Sequence, residues 1–278
     1  MDQLFQDIQT IAREFSGTLG LCAQRVDAAG QIDWHANKEF ATASVIKLPI
    51  LVTCLKQVQK GLHSLDDQVV LRAEDKVIGS GILKELRPGL ELTLEDLLVL
   101  MIAISDNTAT NMVLDHVTPP QVNAYMASLG HSQTFSAGKL FSDTGGRRST
   151  TTPRDMVNLL LQLAHERILT PFLCQKAIEI LSCQQFTNII TRELPYDPFN
   201  KEEGTAVEVK VASKSGAIRG VRNDVGLVTT PKITYAIALM SQDCADERFH
   251  PDNEANLFLS RVSRRIYDYY HQECRNDV

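Results

Sequence analysis

The spacing of apolar residues changes twice along this chain, and that order constrains the fold more than any other feature. A helical pattern over residues 4–15 precedes two strand patterns at 19–27 and 31–37. Helical spacing then dominates from residue 44 to about residue 195. The last third returns to three strand patterns and one helical pattern, at 206–217, 223–230, 232–242 and 253–270. Strands at both ends with helices between them predict one sheet built from both ends of the chain.

We therefore predict an α/β fold in which an antiparallel sheet, flanked by terminal helices, receives an inserted all-helical domain. The expected boundaries are 1–42 and 196–278 for the α/β domain and 43–195 for the helical domain. A functional site would lie in the cleft between them. The segment PYDPFNKEEGT, residues 195–205, has the weakest pattern and is predicted to be a hinge.

Charge and metal-ligand spacing exclude several functional classes. A net charge of -6 gives the chain no attraction to nucleic acid or to an anionic membrane. The pairs Arg147-Arg148 and Arg264-Arg265 are short and isolated, so we interpret both as solvated. The longest uncharged apolar run, residues 97–104, is far shorter than the roughly 20 residues of a membrane span. The six cysteines and seven histidines show no ligand spacing, so we expect no metal and no cofactor.

The first residues bear on location. MDQLFQDIQTIAREF has acids and amides where a signal peptide has a basic and then an apolar region. Taken as the natural start, this predicts a cytoplasmic protein. A periplasmic or secreted location is the expectation if a leader has been removed. We expect a monomer whose partner is a small molecule.

The first candidate motif is the Ser-x-x-Lys pattern of residues 44–47. Residues three apart share a helix face, so the Lys47 amine can reach the Ser44 hydroxyl and, when neutral, remove its proton. The alternative is an ordinary N-cap serine, because the pattern is permissive. The pattern recurs at residues 136–139, where a glycine interrupts it and no apolar helix follows. We interpret that second copy as a chance match.

Two further motifs follow in chain order. The Ser-Asp-Asn of residues 105–107 lies between two helical patterns, where its hydroxyl and amide can pass a proton and hold a carbonyl. Helix capping is the alternative. The Lys-Ser-Gly of residues 214–216 ends an apolar strand, where a cation, a hydroxyl and a small residue can face a ligand along the strand edge. A solvated strand end is the alternative there, so each motif alone is weak.

Together and in this order, the three motifs match the signature set of class A β-lactamases and penicillin-binding proteins, with serine replacing the threonine of Lys-Thr-Gly. The chain resembles that superfamily over nearly its whole length. The segments that carry the resemblance are ATASVIKLPILV, LTLEDLLVLMIAISDNTATNMVLD and TTTPRDMVNLL. The resemblance, to a class A β-lactamase-like serine hydrolase, implies an α/β domain with an inserted helical domain, which agrees with the pattern of strands and helices.

The resemblance implies catalytic roles for three residues. Ser44 would be the nucleophile that forms an acyl-enzyme, and Lys47 would accept its proton. Ser105 would carry a proton to the leaving nitrogen. Lys214 would place a second positive charge near Lys47 and so favour its neutral form.

Substrate-binding roles are also implied. Polar groups of the substrate would meet Asn107, Lys214, Ser215, Gly216 and Ala217. Asn107 would bind a side-chain amide, and Lys214 with Ser215 would bind a carboxylate. The backbone N–H groups of Ser44 and Ala217 would form the oxyanion hole. Arg222 would support carboxylate binding, with a surface arginine as the alternative.

The loop before Thr151-Thr152-Pro153 departs from the family pattern. In class A β-lactamases this segment carries a Glu-x-x-x-Asn pair that positions and activates the deacylating water. The corresponding stretch here, GKLFSDTGGRRS, has neither residue. Glu166 lies on the following helix and is interpreted as solvated. Asp143 is the one carboxylate in the stretch and so a candidate base, with an Asx turn before Gly145 as the alternative.

The sequence therefore predicts a serine hydrolase that forms an acyl-serine on β-lactams or a related amide or ester. The competing hypothesis is a penicillin-binding or sensing module that is acylated without efficient turnover, or an inactive relative of the fold. The expected ligand is a small molecule with a carboxylate, and a β-lactam is one candidate.

Overall fold

The structure, a computed structural model, describes residues 1–198 and 209–276. Its strands, in chain order, are β1 (Thr18–Arg25), β2 (Gln31–Trp34), β3 (Phe40–Ala41), β4 (Gln68–Val70), β5 (Glu91–Thr93), β6 (Thr150–Thr151), β7 (Lys210–Ile218), β8 (Val221–Thr229) and β9 (Thr234–Gln242). Its α-helices are α1 (Asp2–Ala12), α2 (Lys47–Gln59), α3 (Leu94–Ala103), α4 (Asn107–His116), α5 (Pro119–Ser128), α6 (Pro153–Ala164), α7 (Pro171–Leu181) and α8 (Glu254–Asn276).

The central sheet has five antiparallel strands in the order β2-β1-β9-β8-β7. Strand β1 pairs with β9 from Thr18 opposite Gln242 to Arg25 opposite Tyr235. The first and last thirds of the chain therefore build one sheet, and the predicted fold class is confirmed. Strand β7 is an edge strand, so one of its sides carries backbone groups that the sheet leaves unpaired.

Both faces of the sheet are buried, which explains the apolar run of β9 and the burial of nearly every residue of β8. Side chains alternate between the two faces of a strand. Ala236 and Ala238 of β9 join the core formed with α2, α3 and α6, whereas Tyr235 and Ile237 join the core formed with α1 and α8. One sheet thus separates two hydrophobic cores.

The middle of the chain is helical, as predicted, from α2 to α7. Helices α3, α4, α6 and α7 begin at residues whose side chains accept a backbone N–H of the first turn, namely Thr93, Asp106, Thr152 and Thr170. Two short ladders, β3 with β6 and β4 with β5, were not predicted. Strands of two or three residues are too short to show a period.

Part of the prediction falls on residues that are not described. Residues 199–208, which include most of the predicted hinge at 195–205 and the start of the strand predicted at 206–217, lie outside the described residues. The boundaries 1–42, 43–195 and 196–278 stay a prediction. Of the helices in the described residues, none combines the length and apolar character that a membrane crossing demands.

Candidate active site

Ser44 lies in a short 3-10 helix, Ala43–Ile46, that leads directly into α2. Side chains three residues apart eclipse one another in a 3-10 helix, so Ser44 and Lys47 share a face. Ala43 has a φ of 46°, a left-handed conformation that costs a non-glycine residue about 1–3 kcal/mol. Strain of this kind persists where surrounding contacts hold it, and Asn223 supplies two of them. Its Nδ2 donates to the carbonyls of Ala41 and Thr42 at 2.8 and 3.1 Å.

The Lys47 amine is fully buried and has three partners. Its Nζ lies 2.8 Å from the Ser105 carbonyl oxygen, 2.9 Å from the Ser105 hydroxyl and 2.9 Å from Asn107 Oδ1. No hydrogen bond joins it to the Ser44 hydroxyl in the part of the chain that the structure describes. The sequence led us to expect that direct bond, and the structure instead joins Lys47 to the Ser-Asp-Asn motif.

The surroundings of Lys47 favour its neutral form. Burial lowers its pKa well below the ordinary value, the charge of Lys214 lowers it further, and Asp106 opposes both effects. A neutral amine has two N–H groups and one lone pair. The three contacts match that set, because the Ser105 carbonyl and Asn107 Oδ1 accept while the Ser105 hydroxyl can donate.

Residues 105–107 form a rigid turn between α3 and α4. Ser105 has a φ of 55°, a second left-handed residue at a reactive position. The Asp106 carboxylate caps α4 through the Ala109 N–H, and its other oxygen accepts the N–H groups of Ile82 and Leu83 at 2.6 and 2.9 Å. Asn107 Nδ2 donates to the Ile78 carbonyl at 3.1 Å. Asp106, which caps α4, therefore lies in the same turn as Ser105 and Asn107, the two residues predicted to take part in the chemistry.

Strand β7 approaches the Ser44 turn more closely than any side chain would permit. A Cβ added at Gly216 would lie 2.8 Å from the Ser44 nitrogen, 2.9 Å from the Thr42 oxygen and 3.0 Å from the Val45 nitrogen. Gly216 therefore lets two backbones meet. This contact brings the Ser44 N–H beside the edge strand that carries Ser215 and Ala217, where an oxyanion hole was predicted.

Lys214 is fully buried beside that contact, and its Nζ donates to the Ser215 carbonyl at 2.8 Å. Burial lowers the pKa of Lys214 to about 7, although the charge of Asp224 opposes the shift. Burial likewise raises the pKa of Asp224 to about 7. Asp224 Oδ2 accepts the Ile190 N–H at 3.1 Å. The side chain of Ser215 contacts Gln184 Nε2 at 3.4 Å.

Arg222 is buried, which excludes the surface alternative for this residue. Its guanidinium donates to the carbonyl oxygens of Ile218 and Val221, both at 2.7 Å, and to that of Arg248. Its Cζ also lies 4.9 Å from the centre of the Phe249 ring. These partners leave some of its five N–H groups for a ligand, and none of its partners in the described residues is a carboxylate.

A cavity of about 1020 Å³ joins these elements. It is lined by seven of the predicted site residues or their backbones, namely Ser44, Ser105, Asn107, Ser215, Gly216, Ala217 and Arg222. Lys47 and Lys214 lie behind this lining through their contacts with Ser105 and Ser215. We call the surface made by residues 43–47, 105–107 and 214–217 the catalytic wall.

A second part of the cavity lining, which we call the loop wall, comes from the loop of residues 136–149. Leu140, Phe141, Arg148 and Ser149 are the members that line the cavity. Asn111 of α4 holds Leu140 by both backbone groups, because its Nδ2 donates to the Leu140 carbonyl at 3.0 Å and its Oδ1 accepts the Leu140 N–H at 2.8 Å. Phe141 has a φ of 59° and is 63% exposed at the mouth of the cavity.

The structure does not bring Asp143 into the site. Its side chain is exposed, and Oδ1 accepts the Gly145 N–H at 2.9 Å, which is the Asx-turn alternative. Among the described residues that line the cavity there is no aspartate or glutamate. In this structure Asp143 therefore forms the Asx turn and lies outside the cavity lining. Glu166 follows α6 and also lies outside the lining.

The second Ser-x-x-Lys copy does not form a reactive pair. The Lys139 amine lies 2.5 Å from the Asp115 carboxylate. Ser136 is buried, and within residues 1–198 and 209–276 its hydroxyl has no hydrogen-bond partner. The copy at 44–47 differs because its lysine is buried against the hydroxyl and amide of a second motif.

Several residues of the site were missed in the sequence. Asn223 had a visible signal, since Arg-Asn-Asp is a polar run inside an otherwise apolar strand. Arg148 was noticed but assigned to solvated surface, and it lines the cavity instead. Asn111, Leu140 and Phe141 gave no signal, because their roles depend on contacts between distant segments. In the described residues, no group of three or more histidine, cysteine, aspartate or glutamate side chains could hold a metal ion.

Comparisons with known proteins identify the family of this chain. Residues 3–270 match the family model described as the beta-lactamase enzyme family. A beta-lactamase of Rhodobacter capsulatus is 25% identical over 267 residues, which cover 94% of this chain and 87% of that protein. The crystal structure of a beta-lactamase from Sphaerobacter thermophilus aligns with a TM-score of 0.85 at 29% identity over 96% of each chain. A mutant of PBP-A, solved as an acyl-enzyme complex with penicillin G, aligns with a TM-score of 0.83 at 26% identity over 98% of this chain and 97% of that one.

These matches span both cores and every element of the catalytic wall. They support a hydrolase of the β-lactamase type, which agrees with the order of the three motifs. The chain therefore belongs to the beta-lactamase enzyme family, within the superfamily of β-lactamase-like serine hydrolases.

Proposed function

We propose that this chain acts through an acyl-serine intermediate on Ser44, with a β-lactam or a related amide or ester as substrate, and that hydrolysis of this intermediate is its slow step. One observation carries the proposal. The amine of Lys47, one helical turn after Ser44, is buried and lies 2.9 Å from the Ser105 hydroxyl. Its lowered pKa gives a base that is neutral where an ordinary lysine would be charged.

In the acylation step the Ser44 oxygen attacks the carbonyl carbon, and its proton passes to the neutral Lys47 amine. The carbon–nitrogen bond of the amide then breaks, Ser105 passes its hydroxyl proton to the leaving nitrogen, and Lys47 returns the proton taken from Ser44 to the Ser105 oxygen. The 2.9 Å contact between Lys47 Nζ and the Ser105 hydroxyl supports this route. Atoms and charge balance, since the proton lost by Ser44 replaces the acyl group on nitrogen.

The developing negative charge needs donors fixed in advance. The close approach of Gly216 to the Ser44 nitrogen supports an oxyanion hole made by the N–H groups of Ser44 and Ala217. Losing one such donor costs a typical acyl-transfer enzyme about 10²–10³ in rate. Lys214, Ser215 and Arg222 would bind the substrate carboxylate on the same side.

Hydrolysis of the acyl-enzyme requires a group that deprotonates water. Among the described residues, the lining of the cavity contains no aspartate or glutamate, and Leu140 faces the cavity from the loop wall. General-base catalysis contributes typically 10²–10⁴ in rate, so its absence leaves the ester long-lived. This observation favours slow turnover over efficient β-lactam hydrolysis. The acyl-enzyme complex of PBP-A with penicillin G concerns a structurally similar chain and supports a penicillin as the first compound to try.

The test is intact-mass measurement after incubation with benzylpenicillin. We expect the wild-type mass to increase by one penicillin and to stay increased long after the free compound is removed. Ser44→Ala should show no adduct, while Ser136→Ala, in the second copy of the motif, should be labelled like the wild type. An unlabelled wild type, or a labelled Ser44→Ala, would contradict the acyl-serine. Rapid loss of the adduct would contradict the slow step.

A further inference from the structure

Arg148 occupies a defined place next to the nucleophile. Strand β3 pairs with β6 with Phe40 opposite Thr151 and Ala41 opposite Thr150. The register continues one residue further, because the Thr42 N–H donates to the Ser149 carbonyl at 3.0 Å. Arg148 is the next residue on one side of this pairing, and on the other side Ala43 begins the 3-10 helix that carries Ser44. Arg148 also lines the cavity.

The guanidinium of Arg148 is available to a ligand. No salt bridge or hydrogen bond engages it within the two described stretches, 1–198 and 209–276. Its neighbour Arg147 differs, because its Cζ lies 4.1 Å from the centre of the Phe135 ring and it does not line the cavity. Consecutive arginines thus have different surroundings, and only the second faces the site.

The charged side chains that line the cavity are of one sign. Its lining includes Arg148, Arg222 and Arg219, the last of which lies 3.3 Å from the Glu247 carboxylate, and Lys214 lies directly behind. The described lining contains no acidic side chain, although the whole chain carries a net charge of -6. A positive cavity in a negative protein selects and attracts anions.

These cations belong to different walls. Lys214, with Ser215, belongs to the catalytic wall at the edge strand, where a first carboxylate is expected. Arg148 belongs to the loop wall, on the same segment as Leu140 and Phe141. When a ligand binds with one carboxylate on the catalytic wall, Arg148 therefore faces another part of that ligand.

We propose that Arg148 binds a second anionic group, carried on the acyl side of the scissile bond, so that the preferred substrate is a dianionic amide or ester. The inference rests on the proposed function and names its substrate class. An apolar group next to that second carboxylate would pack on Leu140 and Phe141. A guanidinium binds a carboxylate through two parallel N–H donors, and a charged hydrogen bond of this kind is worth more than a neutral one.

The test compares benzylpenicillin with α-carboxybenzylpenicillin, which differ by one carboxylate on the acyl side. The measured quantity is the ratio of their second-order acylation rate constants, dianion over monoanion. We expect Arg148→Gln to lower this ratio about tenfold. Arg148→Lys should keep part of the ratio because it keeps the charge. Arg147→Gln, the matched control, should leave the ratio unchanged. Added salt should lower the wild-type ratio.

The outcomes separate the two proposals. Acylation of the wild type by both compounds, with the same ratio in Arg148→Gln, would overturn the role of Arg148 and leave the acyl-serine standing. If neither compound acylates the wild type, the acyl-serine fails, and the role of Arg148 is read from binding instead. For that measurement, calorimetric Kd values in the Ser44→Ala background should show tighter binding of the dianion, and adding Arg148→Gln should remove the difference. Equal Kd values for both compounds would overturn the inference.

Discussion

The two walls of the cavity are built on different principles. On the catalytic wall the Lys47 amine is buried and paired with Ser105 and Asn107. The loop-wall residues that line the cavity are Leu140, Phe141, Arg148 and Ser149, and Phe141 is mostly exposed. In the proposed function, the first wall forms the acyl-serine, and the residues of the second wall that line the cavity include no carboxylate to activate a water.

The largest expected effect comes from removing the base of the catalytic wall. Lys47→Met should lower the rate of acylation by benzylpenicillin about 10³-fold, since proton removal from Ser44 loses its acceptor. Stopped-flow or intact-mass kinetics would measure it, with circular dichroism to verify folding. Lys139→Met is the matched control, because it removes the lysine of the second Ser-x-x-Lys copy. A folded Lys47→Met that acylates at the wild-type rate would remove Lys47 from the mechanism.

The next largest effect should come from placing a carboxylate at a loop-wall position that lines the cavity. Leu140→Glu should accelerate loss of the acyl group about 10²-fold, because it introduces a carboxylate at a position that Asn111 holds by two backbone hydrogen bonds. The decay of the adduct mass measures this rate. Leu140→Gln has nearly the same shape without a base and should decay like the wild type. Equal decay of both variants would show that something other than a missing carboxylate limits turnover.

The order of strand and helix patterns predicted the fold class, and the resemblance to a known family predicted the residues of the catalytic wall. Ser44 and Lys47 are one turn apart, and residues 105–107 and 214–216 are contiguous, so each motif is visible in a few letters. The sequence predicted the Ser44 hydroxyl as the partner of Lys47. The structure shows Ser105 instead, a contact that spans 58 residues of sequence. For the loop wall, the sequence showed only that the Glu-x-x-x-Asn pair of class A β-lactamases is absent. What Leu140 and Arg148 do there depends on Asn111 and on the register of β3 with β6, which no local pattern contains.

A smaller effect tests the contact between the edge strand and the nucleophile turn. Gly216→Ala should slow acylation about tenfold, because the added Cβ would lie 2.8 Å from the Ser44 nitrogen and must displace the Ser44 turn. It should also destabilise the chain by about 1–3 kcal/mol, the usual cost of overpacking. Thermal unfolding and acylation kinetics measure the two effects. Gly30→Ala is the control, since a Cβ there meets nothing within 4 Å. Unchanged kinetics in Gly216→Ala would mean that the turn tolerates displacement.

The smallest effect concerns pH. Lys214 must be charged to bind a carboxylate, and its pKa is lowered to about 7, so the second-order acylation rate should fall as pH rises through about 7. Asp224 raises that pKa, and Asp224→Asn should therefore move the falling limb to lower pH, by less than about one unit. Asp143→Asn keeps its Asx turn and should leave the profile unchanged. A limb that stays in place in Asp224→Asn would separate Lys214 from the pH dependence.

The pairing of β1 with β9 bears on the order in which parts of this protein form during folding. Thr18 and Gln242 are neighbours in the sheet, although more than two hundred residues separate them in sequence. Contacts of such long range require closure of a large loop, which is slow compared with the formation of helices from neighbouring residues. During refolding we therefore expect helical signal to return before reactivity towards penicillin. The delay between the two would time the closing of the sheet.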